Sequence, residues 1–224
     1  MRAIDALPLQ QKADNSDDAA RPQKPRVIGR RTERKVVAAL LQRGHRVRAI
    51  VRRPPTPPFG NGVEVQSTDA RNGEQMRSAV RGLDAVVNVI GGGTLRRNDV
   101  AASATAVVVP IVEAAGVKRY IAMSAGMVAL DWPFFKYVLR PLIFRHILAE
   151  HNRVEAIVRA SSLDWTIVRP TALTNHPAKG YVASLDLQPG SFITTRADVA
   201  AFIADELGAN GYVRQAAFVA SRRS

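Results

Sequence analysis

The sequence predicts a doubly wound α/β domain, a parallel sheet with helices on both faces, and three observations carry that prediction. From Arg26 onward short β-branched runs alternate with stretches of helical periodicity. Most of those runs are apolar on both faces, as strands covered by helices must be. The helical stretches between them close on glycine. In order, the strand candidates are Val27-Ile28, Val47 to Val51, Val63 to Val65, Ala85 to Ile90, Tyr120 to Met123, Trp165 to Val168 and Ala216 to Val219. After the first, Lys35 to Gln42 sets Val36, Val37, Leu40 and Leu41 on one helical face, and Gly44 stands where a helix-ending glycine belongs. Gly82, Gly116 and Gly208 are predicted to end later helices in the same way. Thr195 and Asp198 have the spacing of a capping box that opens a helix over Val199 to Leu207. Phe134 to Ile147 mixes apolar and basic residues; a lid or packing helix interrupted at Pro141 is the expected form, and a helix lying on a membrane surface is the alternative. Residues 1–25 are polar and aperiodic and are expected to be a disordered arm, which leaves 26–224 as a single domain.

Composition narrows the chemistry. The chain of 224 residues is 46% hydrophobic and 23% charged, a globular balance with ample material for a core. It has no cysteine, which excludes disulfides, thiolate nucleophiles and Cys-ligated metals. Lys and Arg number 32 against 19 Asp and Glu, a net charge of +13 that favours anionic partners such as phosphates, nucleic acid or an anionic cofactor. The longest apolar stretch, around Ala104 to Ala115, carries Pro110 and Glu113 and is too short to span a bilayer. The N-terminus has no apolar core of a signal peptide and contains Asp5, Asp14, Asp17 and Asp18, so a cytoplasmic location is expected. His146 and His151 lack metalloprotease spacing and His45 and His176 sit in turn sequences, so no metal is predicted. Nucleic-acid binding draws on the basic density of Arg26 to Arg53 alone, with no recognised motif beside it. No feature of the sequence sets an oligomeric state.

Doubly wound sheets bind ligands at the carboxyl ends of their strands, so the candidate site is the set of loops found there. The loop after the first strand reads GRRTE, with Gly29, Arg30 and Thr32 as candidate cofactor contacts. The second strand runs into Arg52 and Arg53 with no acid to hold a ribose 2′-hydroxyl; arginines there suit a 2′-phosphate, which favours NADPH over NADH. Asp69 and Ala70 follow the third strand, Gly91 and Gly92 the fourth, Ser124 and Ala125 the fifth, and Arg169, Pro170 and Thr171 the sixth.

The strings ERKVVAALLQRGHRVRAIVRR, GLDAVVNVIGGG, GVKRYIAMSAG, AEHNRVEAIVRASSLDWTIVRPTALT and ITTRADVAAFIADEL resemble the atypical short-chain dehydrogenase/reductases. Within them the chain is most similar to the NAD(P)H-binding branch of flavin/biliverdin reductase-like and NmrA-like proteins, from about Val27 to Leu207. The resemblance implies a Rossmann-like domain that binds NAD(P)H and passes hydride to a small flavin-, quinone- or carbonyl-type acceptor. It places Ser124 at the catalytic serine, Arg52 at the 2′-phosphate, Asp69-Ala70 beside the adenine, and Arg169 to Thr171 along the nicotinamide. The same branch holds non-catalytic NAD(P)H sensors, which is the alternative; a basic nucleic-acid-associated protein is a third. The chain departs from the pattern in its first loop, where Arg30 and Glu33 stand in place of glycines and only Gly29 is left. Arg30 either blocks the close approach of a diphosphate or contacts it directly, and the Glu33 carboxylate opposes it. The superfamily's Tyr-x-x-x-Lys acid pair is absent: Tyr120, Tyr137, Tyr181 and Tyr212 are followed four residues on by Ser124, Pro141, Leu185 and Ala216. The histidine that biliverdin reductase-like relatives carry two residues after the proline is Ala172 here. Solvent is then the expected proton source.

Overall fold

Each predicted β-branched run forms a strand. The computed structural model describes residues 25–29, 32–90, 99–129, 133, 135–187 and 192–222. The predicted N-terminal arm up to residue 24, Arg30, and the glycines Gly91 and Gly92 therefore lie outside the described residues. The strands matching the seven runs are β1 Pro25–Gly29, β2 Val47–Val51, β3 Val63–Ser67, β4 Ala85–Val89, β5 Arg119–Met123, β6 Asp164–Pro170 and β10 Gln215–Ser221. The helices between them are α1 Glu33–Gln42, α2 Gly73–Ala79, α3 Val100–Ala114, α4 Arg145–Ala160 and α5 Arg196–Ala209.

The main sheet has the order β3-β2-β1-β4-β5-β6-β10, all parallel, extended at its edge by the antiparallel β8 Tyr181–Ser184. The order reverses between β1 and β4, which both flank the same strand ends: Ile28 is level with Ile50 on one side and with Asn88 on the other. That reversal opens the crevice in which doubly wound folds take their ligands. Pro25 stands at the first position of β1, where a missing N–H disturbs a ladder least.

Side chains leave each strand alternately to two cores, as a period of two requires. Val86, Tyr120, Ala122, Trp165 and Ile167 pack with Met76, Val108, Val112, Val154 and Val158 under α2, α3 and α4. Ala85, Val87, Ile121, Met123 and Val168 pack with Val36, Val37, Leu40, Val199, Phe202 and Ile203 under α1 and α5. Both layers depend on strands buried on both faces, and β4 and β5 are buried at every residue.

Some expectations need correction. Gly208 does not end its helix: α5 runs on to Ala209, and Asn210, at φ 51°, takes the left-handed position that asparagine tolerates better than other side chains. The capping box is half formed. Thr195 Oγ1 accepts from Asp198 N at 3.0 Å, but the Asp198 carboxylate accepts from Gly180 N at 3.0 Å and from Ser221 Oγ, and Thr195 N goes to Ser221 Oγ at 2.8 Å. The buried carboxylate, which also accepts from Thr195 Oγ1 at 2.9 Å, thus ties the start of α5 to the residue before β8 and to β10 without reaching the Thr195 amide. The segment around Pro141 is a π-helix, Phe135–Phe144, that runs straight into α4, so the expected interruption takes the form of a widened helix. A two-stranded parallel ladder of β7 Ala172–Thr174 and β9 Ile193–Thr195 had no counterpart among the predicted strands. Among the described residues no helix is long and apolar enough to cross a membrane, and no group of three or more metal-ligating side chains is present.

Candidate functional site

The site is assembled from the strand ends on either side of the reversal. At its β1 end, Thr32 takes the N-cap position of α1 without a capping hydrogen bond from its side chain, and both it and Glu33 are buried. The Glu33 carboxylate is therefore shielded from solvent. Arg34, one position on, reaches across to the loop after β2, donating to the carbonyls of Pro57 and Pro58 and lying over the Phe59 ring at 5.3 Å. This contact holds that loop against the first turn of α1.

The ends of β2 and β3 form one polar cluster. Thr68 N donates to Val51 O at 2.8 Å and Ser67 Oγ to Arg52 O at 3.3 Å, so the two chains leave the sheet together. Asp69 accepts from Arg71 three times, from Nη2 at 2.7 Å, Nε at 3.1 Å and backbone N at 3.0 Å. Those Arg71 hydrogen bonds, against a small opposing effect of burial and with help from the charges of Arg71 and Arg52, pull the Asp69 carboxyl down to about 2. Arg52 and Arg53 are exposed, while Ala70 is buried in the core behind them. The cluster offers a phosphate the exposed guanidinium groups of Arg52 and Arg53, beside a carboxylate already paired by Arg71.

The β5 and β6 ends form a second, drier cluster. Ser124 follows β5 directly and is 3% exposed; its backbone N donates to Val168 O at 2.8 Å, continuing the ladder with β6. Its Oγ donates to Glu155 Oε1 at 2.8 Å. Glu155 projects from the middle of α4 and accepts from Arg169 twice, Nε to Oε1 at 2.9 Å and Nη2 to Oε2 at 2.6 Å, while Arg159 lies at 3.5 Å. Burial alone raises the Glu155 carboxyl, but the Arg169 and Ser124 hydrogen bonds and the arginine charges more than offset it, leaving it below its ordinary value. Arg169 is held from its other side by the Phe218 ring at 5.6 Å. Gly126 closes the turn: a Cβ there would stand 3.0 Å from Pro170 O, so any other residue would push the β5 and β6 ends apart by a few tenths of an ångström. Thr171 N and Oγ1 both meet Thr194 Oγ1, at 3.2 and 2.7 Å, which docks the β7–β9 ladder beside the site.

Two further residues on α4 stand one turn nearer the crevice than Glu155. Glu150 Oε1 accepts from Ala101 N at 2.8 Å and so caps a buried first-turn amide of α3; burial raises its carboxyl even so. His151 is 7% exposed, its Nδ1 has no hydrogen-bond partner among the described residues, and burial holds its basicity below the ordinary imidazole value against the opposing pull of Glu155. Between the clusters, at the end of β4, buried Asn88 donates to Tyr120 Oη at 2.9 Å and Thr105 Oγ1 at 3.2 Å and accepts from Ile90 N at 3.0 Å. This network fixes where the chain leaves β4 toward the glycine run.

The structure thus brings Arg52 and Asp69 together, and separately Ser124 and Arg169, and it adds Glu155, His151 and Asn88, none of which was expected from the sequence. The signal for the first two was present: His151 and Glu155 interleave with Leu148, Val154 and Val158 on the buried stripe of α4, where an ionisable residue needs a partner or a task.

The model of a family described as NAD(P)H-binding matches residues 30–210 of this chain. The chain belongs to that NAD(P)H-binding family. Among curated relatives, an uncharacterized sugar epimerase, YhfK, of Bacillus subtilis (strain 168) is 31% identical over 164 residues, covering 70% of this chain and 73% of that protein. Among solved structures, the oxidoreductase ylbE from Lactococcus lactis superposes with a TM-score of 0.76 at 20% identity, over 90% of this chain and 92% of that one. A short-chain dehydrogenase/reductase from Veillonella parvula, solved in complex with NADP, gives 0.71 at 20% identity over 89% and 94%. The family match begins immediately after Gly29. The chemistry of the Arg52–Asp69–Arg71 cluster, cations beside a paired carboxylate, fits an anionic dinucleotide.

Proposed function

We propose that the protein is an NADPH-preferring reductase that delivers hydride to a small flavin-, quinone- or carbonyl-type acceptor. The observation that carries this reading is the cluster at the ends of β2 and β3, in which Arg71 pairs the Asp69 carboxylate, the charge of Arg52 acts on the same group, and Arg53 stands exposed next in the chain. A second phosphate near that ribose gains charge-assisted hydrogen bonds, and the end of β2 carries no acidic residue to accept from a 2′-hydroxyl in its place.

In this reading Arg52 takes the 2′-phosphate, with Arg53 beside it, and Asp69-Ala70 flank the adenine. Gly29, Arg30 and Thr32 meet the diphosphate, and Gly91 and Gly92 let the backbone approach the cofactor. Ser124-Ala125 and Arg169-Pro170-Thr171 line the nicotinamide and the acceptor. The cofactor supplies the hydride when bound; the protein orients the two partners and keeps water from the reacting face. The acceptor's proton comes from solvent.

Equilibrium binding of NADPH and NADH to the wild-type protein and to Arg52→Ala tests the assignment. Losing one hydrogen bond to a charged group, about 1.5–3 kcal/mol, weakens NADPH roughly 10- to 150-fold and leaves NADH unchanged. Equal weakening of both, or of neither, overturns it. Turnover with riboflavin, a quinone or an aldehyde then separates a reductase from a protein that only binds the cofactor.

A further inference from the structure

The hydrogen-bonding inventory around Ser124 is closed on one side. A hydroxyl has one proton to give and two lone pairs, a carboxylate only accepts, and a guanidinium only donates. Glu155 receives Arg169 on both oxygens, at 2.9 and 2.6 Å, and is 5% exposed. A carboxyl so held is ionised and has no proton to offer. The 2.8 Å contact between Ser124 Oγ and Glu155 Oε1 therefore has one polarity, with the serine proton on the carboxylate. The Ser124 backbone amide is spent on Val168 O at 2.8 Å, and Gly126, two residues on, packs where a Cβ would reach Pro170 O at 3.0 Å, so the turn that carries the hydroxyl is fixed. Rotating the hydroxyl toward another acceptor takes one of its two donors from Glu155 Oε1 and leaves it Arg169 Nε alone, and 3% exposure of Ser124 leaves bulk water little access to replace the lost bond.

We propose that the Glu155–Arg169 pair makes Ser124 an obligate hydrogen-bond acceptor, so that the ligand group docking on it must present an N–H or O–H. Glu155 is then a positioning residue that sets the polarity of the site. Ser124 does not polarise an acceptor's carbonyl; it selects a donor. The donor is either the carboxamide of the nicotinamide or an N–H of the acceptor. The inference rests on the reading of this crevice as the nicotinamide and acceptor site.

The test is equilibrium binding to the full-length protein with two probe pairs that differ only in a donor. NADP⁺ is compared with its 3-acetylpyridine analogue, which replaces the carboxamide by an acetyl group, and riboflavin with N3-methylriboflavin. In the wild-type protein the donor-bearing member of one pair binds about tenfold more tightly, and the pair that shows it identifies the source. Ser124→Ala brings that ratio to about one. Glu155→Gln, which places an amide N–H within reach of Ser124, brings it to one or below. A ratio is insensitive to a general loss of affinity, so a merely structural role for Glu155 leaves it unchanged, and Ser124→Ala carries the test alone if Glu155→Gln does not fold. Ratios near one for both pairs in the wild type, or a ratio unchanged in Ser124→Ala, overturn the inference while NADP⁺ binding stands. Failure of NADP⁺ to bind while riboflavin still discriminates overturns the cofactor reading and keeps the inference; binding of none of the four overturns both.

Discussion

Replacing Arg169 by leucine probes the link between α4 and the end of β6. The arginine gives Glu155 two hydrogen bonds, and the two side chains are 14% and 6% exposed. Without it the carboxylate retains Ser124 and, at 3.5 Å, Arg159, whose side chain is 44% exposed and lies over the Trp165 ring. Breaking a buried pair from one side costs about 3–5 kcal/mol. Arg159 is placed to supply part of the missing charge, so the loss falls near 3 kcal/mol, with about 0.5–1 kcal/mol more from the stacking over Phe218. For a domain of this size about 3 kcal/mol is a fall in Tm of roughly 6–12 °C. The loss also has a sign in pH. In the wild-type protein the depressed Glu155 carboxyl adds stability above its unfolded value of about 4.3, lost as the pH falls through the folded value. In Arg169→Leu burial prevails, the carboxyl is raised, and stability is lost instead as the pH rises past 4.3. Urea midpoints at pH 5 and pH 8 read both effects, and the double variant Arg169→Leu/Glu155→Leu recovers part of the loss because no charge is left stranded. A loss below about 1 kcal/mol, no difference between the two pH values, or a double variant equal to the sum of the singles refutes the coupling.

Other consequences are open to the same assays. His151 is buried with a lowered basicity, so below about pH 6.5 the unfolded chain binds a proton that the folded ring refuses. Stability then falls with falling pH by up to about 1.4 kcal/mol per unit until the folded ring protonates; His151→Gln flattens the Tm profile between pH 5 and 7, and an unchanged profile contradicts the assignment. Gly126→Ala places a methyl group 3.0 Å from Pro170 O, a backbone atom that must move, and costs about 1–3 kcal/mol in urea unfolding. A neutral Gly126→Ala shows that the two strand ends have room to spare.

What the sequence made legible follows from what each residue's neighbours in the chain already determine. Strands buried on both faces, such as AVVNV at 85–89, announce themselves by composition, and helices such as α1 by their apolar stripe, so the seven parallel strands and the sheet's class were readable. The β7–β9 ladder was not: three residues each, partly exposed, they exist because Thr171 and Thr194 meet across 23 positions, which no local pattern encodes. Gly208 and Asn210 show a narrower limit, since two residues near one helix end both suit a left-handed cap and packing chose the asparagine. At the site, strand ends were legible because the fold class places ligands there, which led to Arg52, Asp69, Ser124 and Arg169. Glu155 and His151 were passed over because their importance lies in what faces them from β5 and β6. The position of an ionisable residue on a buried stripe is the trace such contacts leave in the sequence.

The measurement that bears most directly on the central claim is thermal unfolding of the purified protein with NADPH and, in parallel, with NADH. At about 100 times its Kd a ligand stabilises by about 2.7 kcal/mol, roughly 5–10 °C for a domain of this size. An upward shift of that order with NADPH, a much smaller one with NADH at equal concentration, and loss of the difference in Arg52→Ala is the predicted result. A cooperative transition that neither dinucleotide moves contradicts it, and means that the loop carrying Arg30 and Glu33 has closed the crevice to the cofactor.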